Sequence, residues 1–127
     1  MKKAADVNMK IITPIYRIIK CLVAENTYTA WLAFNPEHPL YQGHFPGKPV
    51  TPGACLLQTV EELVSLFMEK PCYLTGAKQL KFLHMHHPNT PLRFEISLDR
   101  SSVPCSVKVQ IYDEQLVISK MIVSISL

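Results

Sequence analysis

Between Asn35 and Gly53 the chain reads NPEHPLYQGHFPGKPVTPG, and this run restricts the possible folds more than any other stretch. Pro36, Pro39, Pro46, Pro49 and Pro52 each fix φ and remove a backbone donor, so the run predicts neither helix nor central strand. Gly43, Gly47 and Gly53 fall in it as well. A loop this long inside a compact domain is usually functional, and its proline density makes it a stiff mount for a side chain.

The flanking sequence supplies regular structure. After the loop, Leu56, Leu57, Val60, Leu63, Val64 and Phe67 recur at helical spacing, which predicts one helix over 54–69, stopped by Pro71. Apolar residues cover more than half of its circumference, so the pattern predicts a helix wrapped by other elements. Before the loop, Ile15 to Phe34 reads as a hairpin turning at Glu25-Asn26, preceded by a polar, frayed segment over 1–10. Beyond the helix, Tyr73 to His86 predicts one strand. Leu92, Phe94, Ile96 and Leu98 alternate with polar residues in a second, and Val107, Val109 and Ile111 do so in a third. Asp113-Glu114 turns into a last strand, Leu116 to Ser126. The fold class expected is α+β: an antiparallel sheet of about six strands around one long central helix.

Composition narrows the function classes. A chain of 127 residues, 48% hydrophobic and 18% charged, predicts a single folded domain over 1–127 with its own core. A net charge of +3 is far from the dense basic stripe of a nucleic-acid binder, though it suits an acidic partner. No apolar run reaches the roughly 18 residues of a membrane span, and Pro14, Arg17 and Lys20 break the stretch from Ile11 to Ala24, so it reads as no signal-peptide core. Cys21, Cys55, Cys72 and Cys105 form no CxxC pair, which fits a reduced, cytoplasmic protein whose cysteines are small buried apolar residues. Cys55 has some thiolate stabilisation to expect from the helix start, but no histidine beside it in sequence.

The segment Gly43 to Gly53, GHFPGKPVTPG, resembles the active-site signature of the 3-hydroxyacyl-acyl-carrier-protein dehydratases of the FabZ/FabA type, in the hot-dog superfamily. Gly43, His44, Phe45, Pro46, Gly47, Pro49, Val50, Pro52 and Gly53 stand where that pattern has them. The order of hairpin, proline loop, helix and strands is also similar, from about Ile15 to Leu127, and Lys81 to Pro88 resembles a further strand of the family. The resemblance implies a hot-dog fold and loss of water from a 3-hydroxyacyl thioester, giving a trans-2-enoyl thioester. The acyl chain would be tethered to acyl carrier protein through phosphopantetheine, in fatty-acid or specialised polyene-type lipid synthesis. It implies no cofactor and no metal, and a homodimer or a heterodimer with a related dehydratase subunit.

By the same resemblance His44 is the base that takes the C2 proton, a task suited to a side chain titrating near pH 6.5. Its ring would be oriented by the carbonyl of Val50. The amide of Gly53, at a helix N-terminus with unpaired N–H groups, would polarise the thioester carbonyl. Phe45, Pro46, Gly47, Val50, Pro52, Ala54 and Glu62 complete the expected substrate-binding set. Leu56, Leu57 and Val60 fit an acyl channel or plain core packing equally well. Acidic carrier proteins would find docking charges in Lys78, Lys81 and Arg93.

One position departs from the family. The helix carboxylate expected fourteen residues after the histidine is Gln58, and an amide hydrogen-bonds a hydroxyl but delivers no proton as an acid does. Glu62 stands one turn further on, where many relatives have glutamine, so the pair reads as exchanged across roughly 5–6 Å. That is too far for direct substitution unless the substrate or a bridging water shifts, and a solvated or interface carboxylate is the reading that suits Glu62 better than acid duty. This opens two other classes: a catalytically weak acyl-binding or heterodimer partner subunit, and a hot-dog acyl thioesterase. The proline loop argues against the thioesterase. Glu61 has no trusted counterpart in the family. His84 and His86 would share one face of a strand, a spacing metals can use, yet surface or interface roles suit them and His87 better. His38 fits a turn role beside Pro39 or the mouth of a pocket.

Overall fold

The computed structural model describes residues 14–42 and 49–126. Within them β1 (Tyr16–Val23) and β2 (Thr27–Phe34) form the expected hairpin, a single helical turn α1 (Pro39–Gln42) follows, and α2 (Gly53–Met68) is the long helix. The rest is β3 (Tyr73–Phe82), β4 (Leu92–Asp99), β5 (Cys105–Tyr112) and β6 (Val117–Ser126). The six strands make one sheet in the order β1-β2-β4-β5-β6-β3, antiparallel at every step. Among the described residues no helix is long and apolar enough to cross a membrane.

Period-two alternation puts one face of the sheet in the core. Tyr28, Ala30, Leu32 and Phe34 of β2 point inward with Leu92, Phe94, Ile96 and Leu98 of β4 and Val107, Val109 and Ile111 of β5, all buried. The helix lays Leu56, Val60, Leu63 and Val64 on that face. Its far end is tied down by side chains: Ser65 Oγ donates to the Cys72 carbonyl and accepts from the Cys72 amide, and Glu61 accepts from the Leu74 amide at 2.8 Å.

Three expectations need correction. The proline loop does hold a helical turn, because Pro39 occupies its first position, where a missing N–H costs nothing, and His38 Nδ1 caps it by accepting from the Leu40 amide at 2.9 Å. The helix is largely covered, as expected, and of its residues only Ala54, Gln58, Glu62 and Leu66, spaced by one turn, are exposed. It stops at Met68, with Glu69 left-handed at φ 57° and the Lys70 amide reaching back to the Ser65 carbonyl. Finally, β3 ends at Phe82, where the Leu83 and His84 amides both turn to the Ile118 carbonyl. His84 and His86 therefore share no strand face, and His86 is buried rather than on the surface.

Candidate active site

The loop enters α2 through Pro52, which caps the helix with extended backbone and no side-chain bond, leaving first-turn N–H groups without an intrahelical partner. Gly53 is the first helical residue, and a Cβ there would lie 2.9 Å from Phe82 Cζ, so a larger residue would have to push the Phe82 ring aside. The helix start separates two cavities. The larger, about 800 Å³, is lined by Ile15, Tyr16, His38, Leu40, Pro52, Ala54, Cys55, Gln58 and Glu62, among others. The smaller, about 560 Å³, lies on the other side of the first turn, against Val50, Gly53, Leu56, Phe82 and Met85.

Apolar walls dominate the larger cavity, and a hydrogen-bonded cluster of Tyr16, Gln58 and Glu62 interrupts them. Glu62 receives a hydrogen bond on each oxygen: Oε1 from the Tyr16 hydroxyl at 2.8 Å and Oε2 from Gln58 Nε2 at 3.2 Å. The second bond sets the Gln58 amide, because only its NH₂ can donate to a carboxylate. Tyr16, at the start of β1, is itself braced by the Phe34 ring at a centroid distance of 5.6 Å. Burial first, and the Glu62 carboxylate second, hold its phenol well above the ordinary tyrosine range, so it stays a donor. Cys55 belongs to the same wall, but burial pushes its thiol up, with Glu62 adding to the effect; the expected thiolate stabilisation is overturned. His38 serves both of its suggested roles, capping α1 and lining the cavity.

A buried polar chain ties α1 to the residues ahead of α2. Tyr41 of α1, Thr51 before α2 and His86 after β3 meet there at 2.8 Å per link. Tyr41 is pushed up to about 12 by burial, partly offset by its bond to Thr51, while burial lowers the His86 imidazole.

Of the residues singled out in the sequence, Pro52, Ala54, Gln58 and Glu62 gather on the larger cavity, and Val50 and Gly53 on the smaller one. Gly43, His44, Phe45, Pro46 and Gly47 lie outside the described residues. Leu40 and Pro52, which bracket that segment in sequence, both line the larger cavity. Tyr16 was not foreseen: it lies 46 residues from Glu62, and nothing local marks it. All four cysteines are free, and Cys21 is exposed, contrary to the buried role expected of it.

Comparison with known proteins agrees with this architecture. A FabZ 3-hydroxyacyl-[acyl-carrier-protein] dehydratase of Ligilactobacillus salivarius is 37% identical over 68 residues, 48% of this chain and 49% of the relative. One from Syntrophobacter fumaroxidans is 30% identical over 70 residues, 49% of this chain and 48% of the relative. The chain thus spans about half the length of these curated relatives. Among solved structures, the dehydratase heterocomplex ApeI:P from Xenorhabdus doucetiae matches with a TM-score of 0.78 at 18% identity, covering 88% of this chain and 98% of that one. This is the hot-dog fold that the sequence resemblance implies. The family model described as ApeI-like, ApeI dehydratase, matches residues 20–121. The chain belongs to the ApeI-like dehydratase family.

Proposed function

We propose that this chain, working as a single domain in the cytoplasm, dehydrates 3-hydroxyacyl-acyl-carrier-protein to the trans-2-enoyl thioester in fatty-acid or polyene-type lipid synthesis. The observation that carries the reading is the Glu62 carboxyl held against Gln58 in an apolar cavity, on the helix that follows the proline loop. His44 takes the C2 proton. The C3–O bond breaks, and the hydroxyl leaves as water with a proton from Glu62, while Gln58 hydrogen-bonds the departing oxygen. Glu62 enters the step as the neutral acid and is reprotonated from solvent as His44 releases the C2 proton to it. The Gly53 amide at the helix start stabilises negative charge on the thioester oxygen. Val50 orients the histidine ring through its carbonyl, and Phe45, Pro46, Gly47, Pro52 and Ala54 line the path of the pantetheine arm and the acyl chain. Tyr16, a permanent donor to Glu62, keeps the acid in place. Family membership supports the reaction class.

Assembly follows the same reading. β3 is an edge strand carrying exposed Tyr73, Leu80 and Phe82, with Leu83 and Met85 just beyond, and it fits pairing with a second hot-dog subunit, identical or related. Gln58 favours a second reading, in which this chain contributes His44 and a partner contributes the carboxylate. A mass-spectrometric assay on a 3-hydroxyacyl-acyl-carrier-protein tests both. Loss of one water by the purified chain, abolished in His44→Ala, supports the enzyme. No turnover by the wild type, with activity on adding a glutamate-bearing subunit, supports the partner.

A further inference from the structure

The three histidines after β3 have no part in the chemistry above, yet each holds something in place. His84 Nδ1 donates to the Val117 carbonyl at 3.0 Å, and His87 Nδ1 donates to the Pro49 carbonyl at 3.0 Å. His86, 1% exposed and met edge-on by Phe34, donates from Nε2 to the Thr90 carbonyl at 2.7 Å. A carbonyl only accepts, so in the neutral ring the hydrogen sits on Nε2 and Nδ1 is an acceptor. Thr51 therefore donates its hydroxyl to Nδ1 at 2.8 Å. Having given its one hydrogen, Thr51 accepts from the Tyr41 phenol at 2.8 Å. The chain runs one way, from Tyr41 through Thr51 and His86 to Thr90, with every member satisfied and the Thr51 amide also bound to the His86 carbonyl at 2.9 Å.

Tyr41 and Thr51 are 10 residues apart, and the segment with His44 runs between them. His44 stands three residues beyond Tyr41 and seven before Thr51 in the sequence. A side chain that must reach one carbon of a bound thioester needs its support fixed, since a misplacement of about 1 Å can cost about a hundredfold in rate. We propose that Thr51 and His86 are positioning residues: with Tyr41 they clamp together the two ends of the loop that carries His44 in the sequence. This rests on the reading of His44 as the base.

The test compares the wild type with Thr51→Val, Thr51→Ser and Tyr41→Phe. It reads kcat and KM on a 3-hydroxyacyl-acyl-carrier-protein together with amide hydrogen exchange resolved by NMR. Thr51→Val is expected to speed exchange at Tyr41 and at position 51 about tenfold, the size of one neutral hydrogen bond, with Val107 and Val109 in β5 unchanged. It should lower kcat about tenfold with KM within about twofold, and Thr51→Ser should restore both. Tyr41→Phe, which removes only the terminal donor, should act in the same direction. Unchanged exchange at Tyr41 in both Thr51→Val and Tyr41→Phe overturns the clamp. Faster exchange with wild-type kcat overturns its positioning role. Absence of turnover in the wild type would sink the reading of His44, and exchange at Tyr41 would then decide the clamp by itself.

Discussion

Gln58 donates its side-chain amide to Glu62 across one turn of the exposed face of α2, at 3.2 Å. The residue types are exchanged relative to the order that the resemblance implies, but they remain one hydrogen-bonded unit. A carboxyl group is therefore present at the cavity although the expected position lacks one. Restoring that order with the double variant Gln58→Glu/Glu62→Gln should leave turnover within about tenfold of wild type, because the unit keeps one acid and one amide. Steady-state turnover of the double variant beside both single variants checks this; a double variant as inactive as Glu62→Gln would show that the two places are not equivalent.

Tyr16→Phe removes the donor to Glu62 Oε1 while keeping the ring against Phe34. We expect kcat to fall about tenfold, for the loss of roughly 1–1.5 kcal/mol of hydrogen bonding, with KM little changed. Kinetics on the acyl-carrier-protein substrate decide it, and a wild-type kcat would make Tyr16 a bystander.

Burial lowers the His86 pKa, so its proton linkage has a definite sign. Above about pH 6.5, the ordinary value, the imidazole is neutral in both states and the buried chain is intact. As pH falls below that value the unfolded chain takes up a proton that the folded one resists, and stability drops until the folded pKa is passed. Urea midpoints between pH 7.5 and 5 should decline in the wild type and decline less in His86→Leu, which has nothing to protonate there. Parallel curves would remove His86 from the account.

Asp99 and Asp113 act lower on the scale. Asp99 is held below the usual carboxylate range by its side-chain and backbone bonds to Ser101. At Asp113 slight burial opposes the shift, but the Gln115 and Leu116 amides bring it down. Both are lowered, so their contribution is complete above about pH 4 and disappears as pH falls through the folded values. A second, more acidic loss of stability, removed in part by Asp113→Asn, is the expected outcome of the same titration.

Glu69 ends α2 at φ 57°, a conformation glycine adopts without the Cβ penalty. Glu69→Gly should raise stability by up to about 1 kcal/mol, because relief of the left-handed strain outweighs the extra freedom of the unfolded chain. Thermal unfolding measures it, and a lower Tm would mean that the chain-entropy term wins.

Period-two patterns made the sheet legible: Leu92 to Leu98 and Val107 to Ile111 alternate because one face is buried and the other is wet. The heptad-like run from Leu56 to Phe67 marked the helix for the same reason. Outlines of the site were readable too, since Gln58 and Glu62 are neighbours by helix geometry alone. Interactions between distant residues were not. Nothing near Tyr16 points to Glu62, and the ladder with β6 could have carried β3 onward past Phe82. It ends where the Leu83 and His84 amides converge on the Ile118 carbonyl and His86 bonds Thr51 and Thr90, tertiary contacts invisible in a window around 82–86. The turn at Pro39 was missed because five prolines were read as breakers, when one of them occupied the first position of a helix.

The central claim is that Glu62 supplies the proton that leaves with water. Its most direct test is the single-turnover rate of dehydration of a 3-hydroxyacyl-acyl-carrier-protein by Glu62→Gln, which keeps the size of the side chain and its bonding to Gln58 but removes the acid. The account predicts a rate at least a hundredfold below wild type, the lower range for loss of a general acid, with substrate binding retained. A Glu62→Gln rate equal to wild type would contradict it.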